Sequence, residues 1–324
     1  MKKIFFKIIS KYKIAIKAIL LLAVIVCLLV IGASVAPSSF PRNTIVRINK
    51  DMTVSGAASL LKEKGIIKSA YLYKIYVVLL HDGKGIQAGS YLFDAPQSAL
   101  RVAYRTSYGI KNVDKIRLTV FEGTNSKEIA ALLKKSVPGF AVNNFLIQAK
   151  MNEGYLFPET YFVDPDVQPK EIIDMMREQF DIATKSLQGS LATSTRSLKN
   201  IITMASIIEK EANDTVERRI ISGILWKRLD KGMALQVDVP FYYALDKGSS
   251  ELTLADLATT SPYNTYTHKG LPPTPITNPG LDAIRAALYP TASPYYFYLA
   301  DKNGVTHYAA THDGHLVNKE KYLW

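Results

Sequence analysis

Three kinds of hydrophobic spacing divide this chain. The first is continuous: residues 18–36 read AILLLAVIVCLLVIGASVA without a charge. At about 1.5 Å per residue, that run predicts a helix that just crosses a hydrocarbon core about 30 Å thick. The second kind alternates. Ile45-Val46-Arg47-Ile48 and Ile116-Arg117-Leu118-Thr119-Val120 place apolar residues at every other position, as strands do. Each leads through a polar turn into a short amphipathic helix, so that residues 49–62 parallel residues 121–134 in pattern. The third kind has helical spacing, over residues 170–186 and 198–231. Ser197 is placed to cap the second of these helices and Gly232 to stop it. Asn213-Asp214 interrupts it and restarts it, with Asp214 as the new cap.

Beyond residue 252 the pattern gives way to loops dense in proline: Pro262, Pro272, Pro273, Pro275, Pro279, Pro290 and Pro294. Each ring fixes φ and removes a donor, which suits rigid walls. Residues 295–300 and 305–309 flank Asp301-Lys302-Asn303-Gly304 and predict a β-hairpin.

Charge gives the apolar run a direction. Lys2, Lys3, Lys7, Lys11, Lys13 and Lys17 precede it, and Arg42 is the first basic residue after it. Positive charge stays cytoplasmic, so the amino terminus is expected inside and everything after Pro37 outside. A cleaved signal peptide is the alternative, since Ser34-Val35-Ala36 has small residues in the right places. Against it, the run exceeds the usual 7–15 residues and Pro37 would follow the cut. The chain is therefore read as a single-pass inner (plasma) membrane protein with its larger part on the periplasmic side.

Composition narrows the rest. With 324 residues, 48% hydrophobic and 21% charged, the chain has room for two domains beyond the anchor and is not disordered. The net charge of +12 suits an anionic polymer or membrane surface. No basic stripe interleaved with aromatics points to nucleic acid. The one cysteine, Cys27, lies in the apolar run, which excludes disulfides, a thiolate nucleophile and a cysteine metal site elsewhere. His312-Asp313-Gly314-His315 fits no common zinc spacing, and neither a Gly-x-Ser-x-Gly elbow nor a phosphate loop occurs. No metal and no cofactor is expected.

The candidate chemistry lies in Ala205-Ser206-Ile207-Ile208-Glu209-Lys210-Glu211-Ala212. At 100° per residue, Ile201, Ala205, Ile208 and Ala212 share one helix face, Glu209 borders it and Lys210 points to solvent. A carboxyl at the rim of an apolar stripe is partly desolvated, which raises its pKa toward what a general acid needs at neutral pH. The alternative is a surface glutamate paired with a basic neighbour such as Arg218. Glu211, near the opposite edge, is not excluded by geometry.

Two resemblances sharpen this pattern. The strand-plus-helix units resemble LysM-like modules, which hold N-acetylated glycans; a βα repeat with no ligand is the plain alternative. Along nearly its whole exported length the chain resembles the endolytic murein transglycosylases, the YceG-like family. The matching pieces are Glu153-Gly154-Tyr155-Leu156-Phe157-Pro158-Glu159-Thr160-Tyr161, the Ala205 to Ala212 segment, Leu235-Gln236-Val237-Asp238, Ser261-Pro262-Tyr263-Asn264-Thr265-Tyr266, and the proline run from Gly270 to Gly280. The chain departs from the family at Thr274, where glycine is usual, and at Val237-Asp238-Val239-Pro240, where Thr-Asp-Pro is usual.

The resemblance implies an α+β fold in five parts: a basic tail (1–17), a transmembrane anchor (18–36), a linker (37–44), a LysM-like subdomain (45–115) and a catalytic domain (116–324). It implies a lyase that cleaves the MurNAc-GlcNAc bond of nascent peptidoglycan without water, leaving a 1,6-anhydro end and terminating strand elongation. Glu209 is then the catalytic residue. Gln236, Asp238, Tyr263, Asn264 and Tyr266 are the candidates for holding sugar, with Glu153 as a further polar contact. Implied partners are glycan strands, penicillin-binding proteins and other proteins of cell-wall synthesis. Two rivals remain: a non-catalytic peptidoglycan-binding scaffold, and a hydrolase using Asp238 or Glu153 as a second carboxylate.

Overall fold

A computed structural model describes residues 2–81, 85–245, 247, 251 and 253–323. The chain is a mixed α+β protein whose contacts divide it into two compact units, Met1–Asp114 and Lys115–Trp324.

The first unit opens with helix α1, Lys2–Ser34. The helix therefore continues back through the basic tail rather than starting at the apolar run. Its segment Ile16–Ser34 has a mean hydropathy of 3.0 and is long and apolar enough to cross a membrane. After it come strand β1 (Thr44–Ile48), helices α2 (Val54–Glu63) and α3 (Ala70–His81), strand β2 (Gly89–Phe93) and helix α4 (Ala99–Tyr108). β1 and β2 pair antiparallel, Thr44 opposite Phe93 and Ile48 opposite Gly89. Thr53 caps α2 by accepting from the Gly56 amide, and Ser98 caps α4 by accepting from that of Arg101. The stretch expected as a stiff linker contributes to the core: Phe40 is buried with Val46, Leu61, Tyr73 and Phe93. Arg105 is buried too. Its guanidinium donates to the carbonyls of Ile110, Leu92 and Lys111 and to Gln97, so each of its three nitrogens keeps a partner on burial.

The second unit begins by repeating that order. β3 (Ile116–Thr119), α5 (Ser126–Ser136), α6 (Val142–Ala149) and β4 (Thr160–Val163) form another strand-helix-helix-strand unit, again with antiparallel strands. The parallel read in the sequence covered the first strand and helix of each copy; the second helix and returning strand complete it. Leu118, Ile129, Leu133, Phe145, Tyr161 and Met176 fill its core.

Helices α7 (Pro169–Thr184), α8 (Gln188–Thr193), α9 (Leu198–Glu211) and α10 (Thr215–Asp230) follow. The chain then runs through α11 (Val239–Leu245), α12 (Leu254–Leu257) and α13 (Leu281–Leu288) to the hairpin β5 (Phe297–Ala300) and β6 (Thr306–Ala309), closing with α14 (His312–Leu323). Asp214 caps α10 where the sequence placed the restart, accepting from Val216 and Glu217. α9 differs from its expected one-sided stripe. Every residue from Ile201 to Glu209 is buried, because α10, α13 and the proline-rich loop enclose the helix on all sides. Ser206 answers for its own burial: its hydroxyl donates to the Thr203 carbonyl and accepts from the Ile276 amide.

Candidate active site

α9 ends where the chain must turn sharply. Ala212 leaves the helix in an extended conformation and Asp214 restarts it, so the first turn of α10 folds back beside the last turn of α9. Arg218, one turn into α10, thereby reaches Glu209. Its Nη2 donates to Glu209 Oε1 at 2.6 Å, its Nη1 to Asp282 at 2.8 Å and its Nε to the Ala212 carbonyl. The Gly280 amide, at the N-terminus of α13, donates to Glu209 Oε2 at 2.8 Å. Burial pushes the Glu209 carboxyl above its ordinary range. Gly280 and Arg218 pull it back, while the charges of Glu122 and Asp282 push it up again. Both oxygens accept from donors aimed at them, an arrangement suited to the ionised form. Glu209 is thus neither a rim carboxyl nor a surface one. It is the buried centre of a joint between α9, α10 and α13.

Glu211 faces elsewhere. Two residues along a helix is a rotation of about 200°, which sends its side chain to the opposite side. There it lines an open hollow of about 630 Å³ with Lys210, Gln236, Asp238, Tyr266 and Tyr298. Tyr298, on β5, donates its hydroxyl to Glu211 Oε2 at 2.7 Å. Burial pushes the Glu211 carboxyl up to about 7, with the Tyr298 bond opposing and the charge of Asp238 adding to the rise. Its place as the last residue of α9, at the negative end of the helix dipole, acts in the same sense. A carboxyl near 7 can give up a proton and take one back at neutral pH.

The remaining predicted residues separate into two sets. Gln236, Asp238 and Tyr266 meet on the hollow. Gln236 accepts from the buried Arg228, and Asp238 accepts from the Tyr266 hydroxyl at 2.6 Å. Three others lie in the scaffold or beside it. Asn264 is fully buried and holds its own loop, donating to the Thr259 carbonyl and accepting from the Tyr266 and Thr267 amides. Tyr263 shares a hydrogen bond with Thr274 at 2.8 Å, so the departure at Thr274 is bonded into the loop. Glu153 is buried, accepting from the Ser126 amide and hydroxyl and from Asn278 Nδ2. Burial pushes it to about 7 against those donors. Asn278 joins three distant segments: it donates to the Thr124 carbonyl, and its Oδ1 accepts from the Gly154 and Leu156 amides.

A second, smaller hollow of about 320 Å³ is lined by Gly123, Lys127, Tyr243, Lys247 and Thr277. Lys210 and Val239 line both hollows. Gly123 has a φ of 75°, and a side chain there would press on Lys210 and Glu209. His312 and His315 border the larger hollow, packed on Phe297; among the described residues no group of three His, Cys, Asp or Glu side chains could hold a metal. Sequence reading missed Tyr298 and Arg228. The turn at Asp301-Lys302-Asn303-Gly304 signalled Tyr298's strand, but not which helix it would meet.

Comparison with known proteins adds a family. Residues 46–321 match the model of the YceG-like family. A Bacillus subtilis (strain 168) protein named endolytic murein transglycosylase is 32% identical over 86% of this chain and 85% of its own length. A Streptococcus pneumoniae (serotype 2, strain D39) protein of the same name is 32% identical over 53% of this chain and 32% of its own. The 2.6 Å crystal structure of a yceG-like protein, lmo1499 from Listeria monocytogenes, superposes with a TM-score of 0.58 at 30% identity, covering 85% of this chain and 99% of that one.

Proposed function

Since this chain belongs to the YceG-like family, we propose that it is an endolytic peptidoglycan lytic transglycosylase with Glu211, rather than Glu209, as its acid and base. The observation that carries the residue assignment is the company Glu211 keeps. It stands on the 630 Å³ hollow beside Gln236, Asp238, Tyr266 and Tyr298, with a carboxyl near 7. Glu209 has its oxygens engaged by Arg218 and Gly280.

In the reaction proposed, protonated Glu211 gives its proton to the glycosidic oxygen leaving the anomeric carbon of N-acetylmuramic acid. The carboxylate then takes the proton of that sugar's C6 hydroxyl as its oxygen attacks the anomeric carbon. A 1,6-anhydro ring closes and Glu211 regains its proton, so no water is consumed. An attack from within the same sugar gains the effective molarity of a held nucleophile, and one carboxyl suffices. The carboxylate of Asp238 is suited to stabilising positive charge on the sugar. Gln236 and Tyr266 are suited to its polar groups and ring face.

The hydrolase reading retains one supporting observation: Asp238 lies close enough to raise the pKa of Glu211 by its charge, as a second carboxylate would. Digestion of purified glycan strands separates the two. Transglycosylation leaves anhydro ends and hydrolysis leaves reducing ends, which mass spectrometry distinguishes by one water. Anhydro ends from the parent and none from Glu211→Gln are expected. Equal activity in both would remove Glu211 from the mechanism, and no product from either would favour a glycan-binding scaffold.

Around this reaction we place the rest of the chain. α1 anchors it with the lysines cytoplasmic and both units outside, at nascent strands and near the synthases that extend them. The strand-helix-helix-strand order of the first unit supports a LysM-like glycan-holding role.

A further inference from the structure

The surface feature that the cleft leaves unexplained belongs to the first unit. α3 reads AYLYKIYVVLLH, and it exposes large side chains that a water-facing helix would bury: Tyr71 at 69%, Val78 at 62% and Leu79 at 72%. At 100° per residue these three fall within one arc of about 100°, with the partly buried Ile75 between them and no charge inside it. Tyr73 and Val77 turn the other way, into the unit's core.

Two hydrogen bonds say where this helix sits. Lys68, just before α3, donates its Nζ to the carbonyl of Gly32, and Tyr76 donates its hydroxyl to Ser34 Oγ at 3.2 Å. Gly32 lies inside the apolar span that ends at Ser34. At about 1.5 Å of rise per residue, the Lys68 ammonium is held within about 3 Å of the end of the span along its axis. An ammonium at that level, a tyrosine tied to the end of the span and an uncharged, largely apolar arc are the chemistry of an interfacial helix.

We propose that α3 lies in the membrane–water interface at the outer end of α1, with Tyr71, Val78 and Leu79 seated at the boundary of headgroups and acyl chains. The occupant of this face is the lipid surface itself. The unit is thereby held against the bilayer instead of swinging on a free tether. This inference rests on reading α1 as a membrane span and is independent of the chemistry assigned to the cleft.

The test uses the full chain in phosphatidylcholine–phosphatidylglycerol vesicles, with Cys27→Ser and one new cysteine carrying a polarity-sensitive fluorophore. Positions Leu79, Ile25 in the span, and Ser59 on the exposed side of α2 are compared. Spin-labelled lipid is expected to quench the label at Leu79 as it does at Ile25, with a blue-shifted emission and loss of iodide quenching; Ser59 should show the reverse. If Ile25 is quenched by lipid while Leu79 behaves like Ser59, α3 does not dock and the proposal falls with the span intact. If Ile25 is not quenched, the span reading fails and the docking with it. A Leu79 label shielded from both iodide and lipid would mean that protein covers the face, which also overturns the proposal. Activity on glycan strands, measured alongside, is expected to be unaffected by the Leu79 label and verifies that the labelled chain is folded.

Discussion

The last turn of α9 holds two glutamates that differ in everything except sequence. On the inner side Glu209 meets Arg218, Gly280 and, through Arg218, Asp282. On the outer side Glu211 meets one tyrosine hydroxyl, a neighbouring carboxylate and an open hollow. Both lose water, and burial raises both. The donors set them apart: in the reading proposed, two that favour the anion suit Glu209 to a structural ion pair, while one donor against like charge and a helix C-terminus suits Glu211 to carrying a proton. Burial alone identifies neither role.

The largest effect expected from breaking this contrast is on the outer side. Glu211→Gln should cut turnover by about 10²–10⁴-fold, the usual loss of a general acid, with chain stability intact. The sign of its pH dependence is fixed. A carboxyl raised from 4.5 to about 7 adds no penalty below pH 4.5 and progressively destabilises the fold as pH rises through 7. Thermal melts should therefore show Glu211→Gln more stable than the parent at pH 8 and indistinguishable from it at pH 4.

On the inner side the losses exchange places. Glu209→Ala removes one carboxylate from a buried guanidinium and should cost about 3–5 kcal/mol in denaturant unfolding, less whatever Asp282 recovers. Glu209→Gln, which keeps an acceptor for the Gly280 amide, should lose less stability and retain turnover per folded molecule. If Glu209→Gln is inactive while fully folded, the two roles are reversed.

Finer changes tune Glu211 in opposite directions. Activity should fall as pH rises through about 7, where the acid loses its proton. Asp238→Asn removes a charge that raises Glu211 and should move that limb to lower pH. Tyr298→Phe removes a bond that lowers it and should move the limb higher. Shifts of the same sign in pH–rate profiles would contradict the coupling. The smallest effect is expected at Gly123→Ala: its left-handed backbone and the nearby Lys210 side chain should cost about 1 kcal/mol in thermal unfolding.

Hydrophobic spacing made the local elements legible. α7, the α9–α10 break at Asp214 and the terminal hairpin all follow from periodicity and capping residues read along the chain. It could not tell the two faces of α9 apart, because each is covered by segments from residues 215 onward. The stripe marked by Ile201, Ala205 and Ile208 was real, but Ile202, Met204 and Ile207 are buried just as fully. With both faces hidden, the apolar rim that favoured Glu209 carried no information about solvent. Likewise Asn264 and Glu153 become candidate sugar contacts through the motifs the chain shares with the family, while in the structure both satisfy backbone amides. A polar side chain between glycines and prolines serves a turn as readily as a ligand.

Asn278 stitches together segments 124 and 154 positions away, and Tyr298 closes the hollow from still later in the chain. Such pairings are slow to form, since long loops must close before any reward arrives. During synthesis the first unit can assemble early, but the hollow stays incomplete until the last residues that line it, out to Lys319, have left the ribosome. A truncated or half-made copy has Glu211 without the partners that tune it. If Glu211 is the acid as proposed, the order of residues along the chain postpones a complete site until the terminal hairpin has arrived.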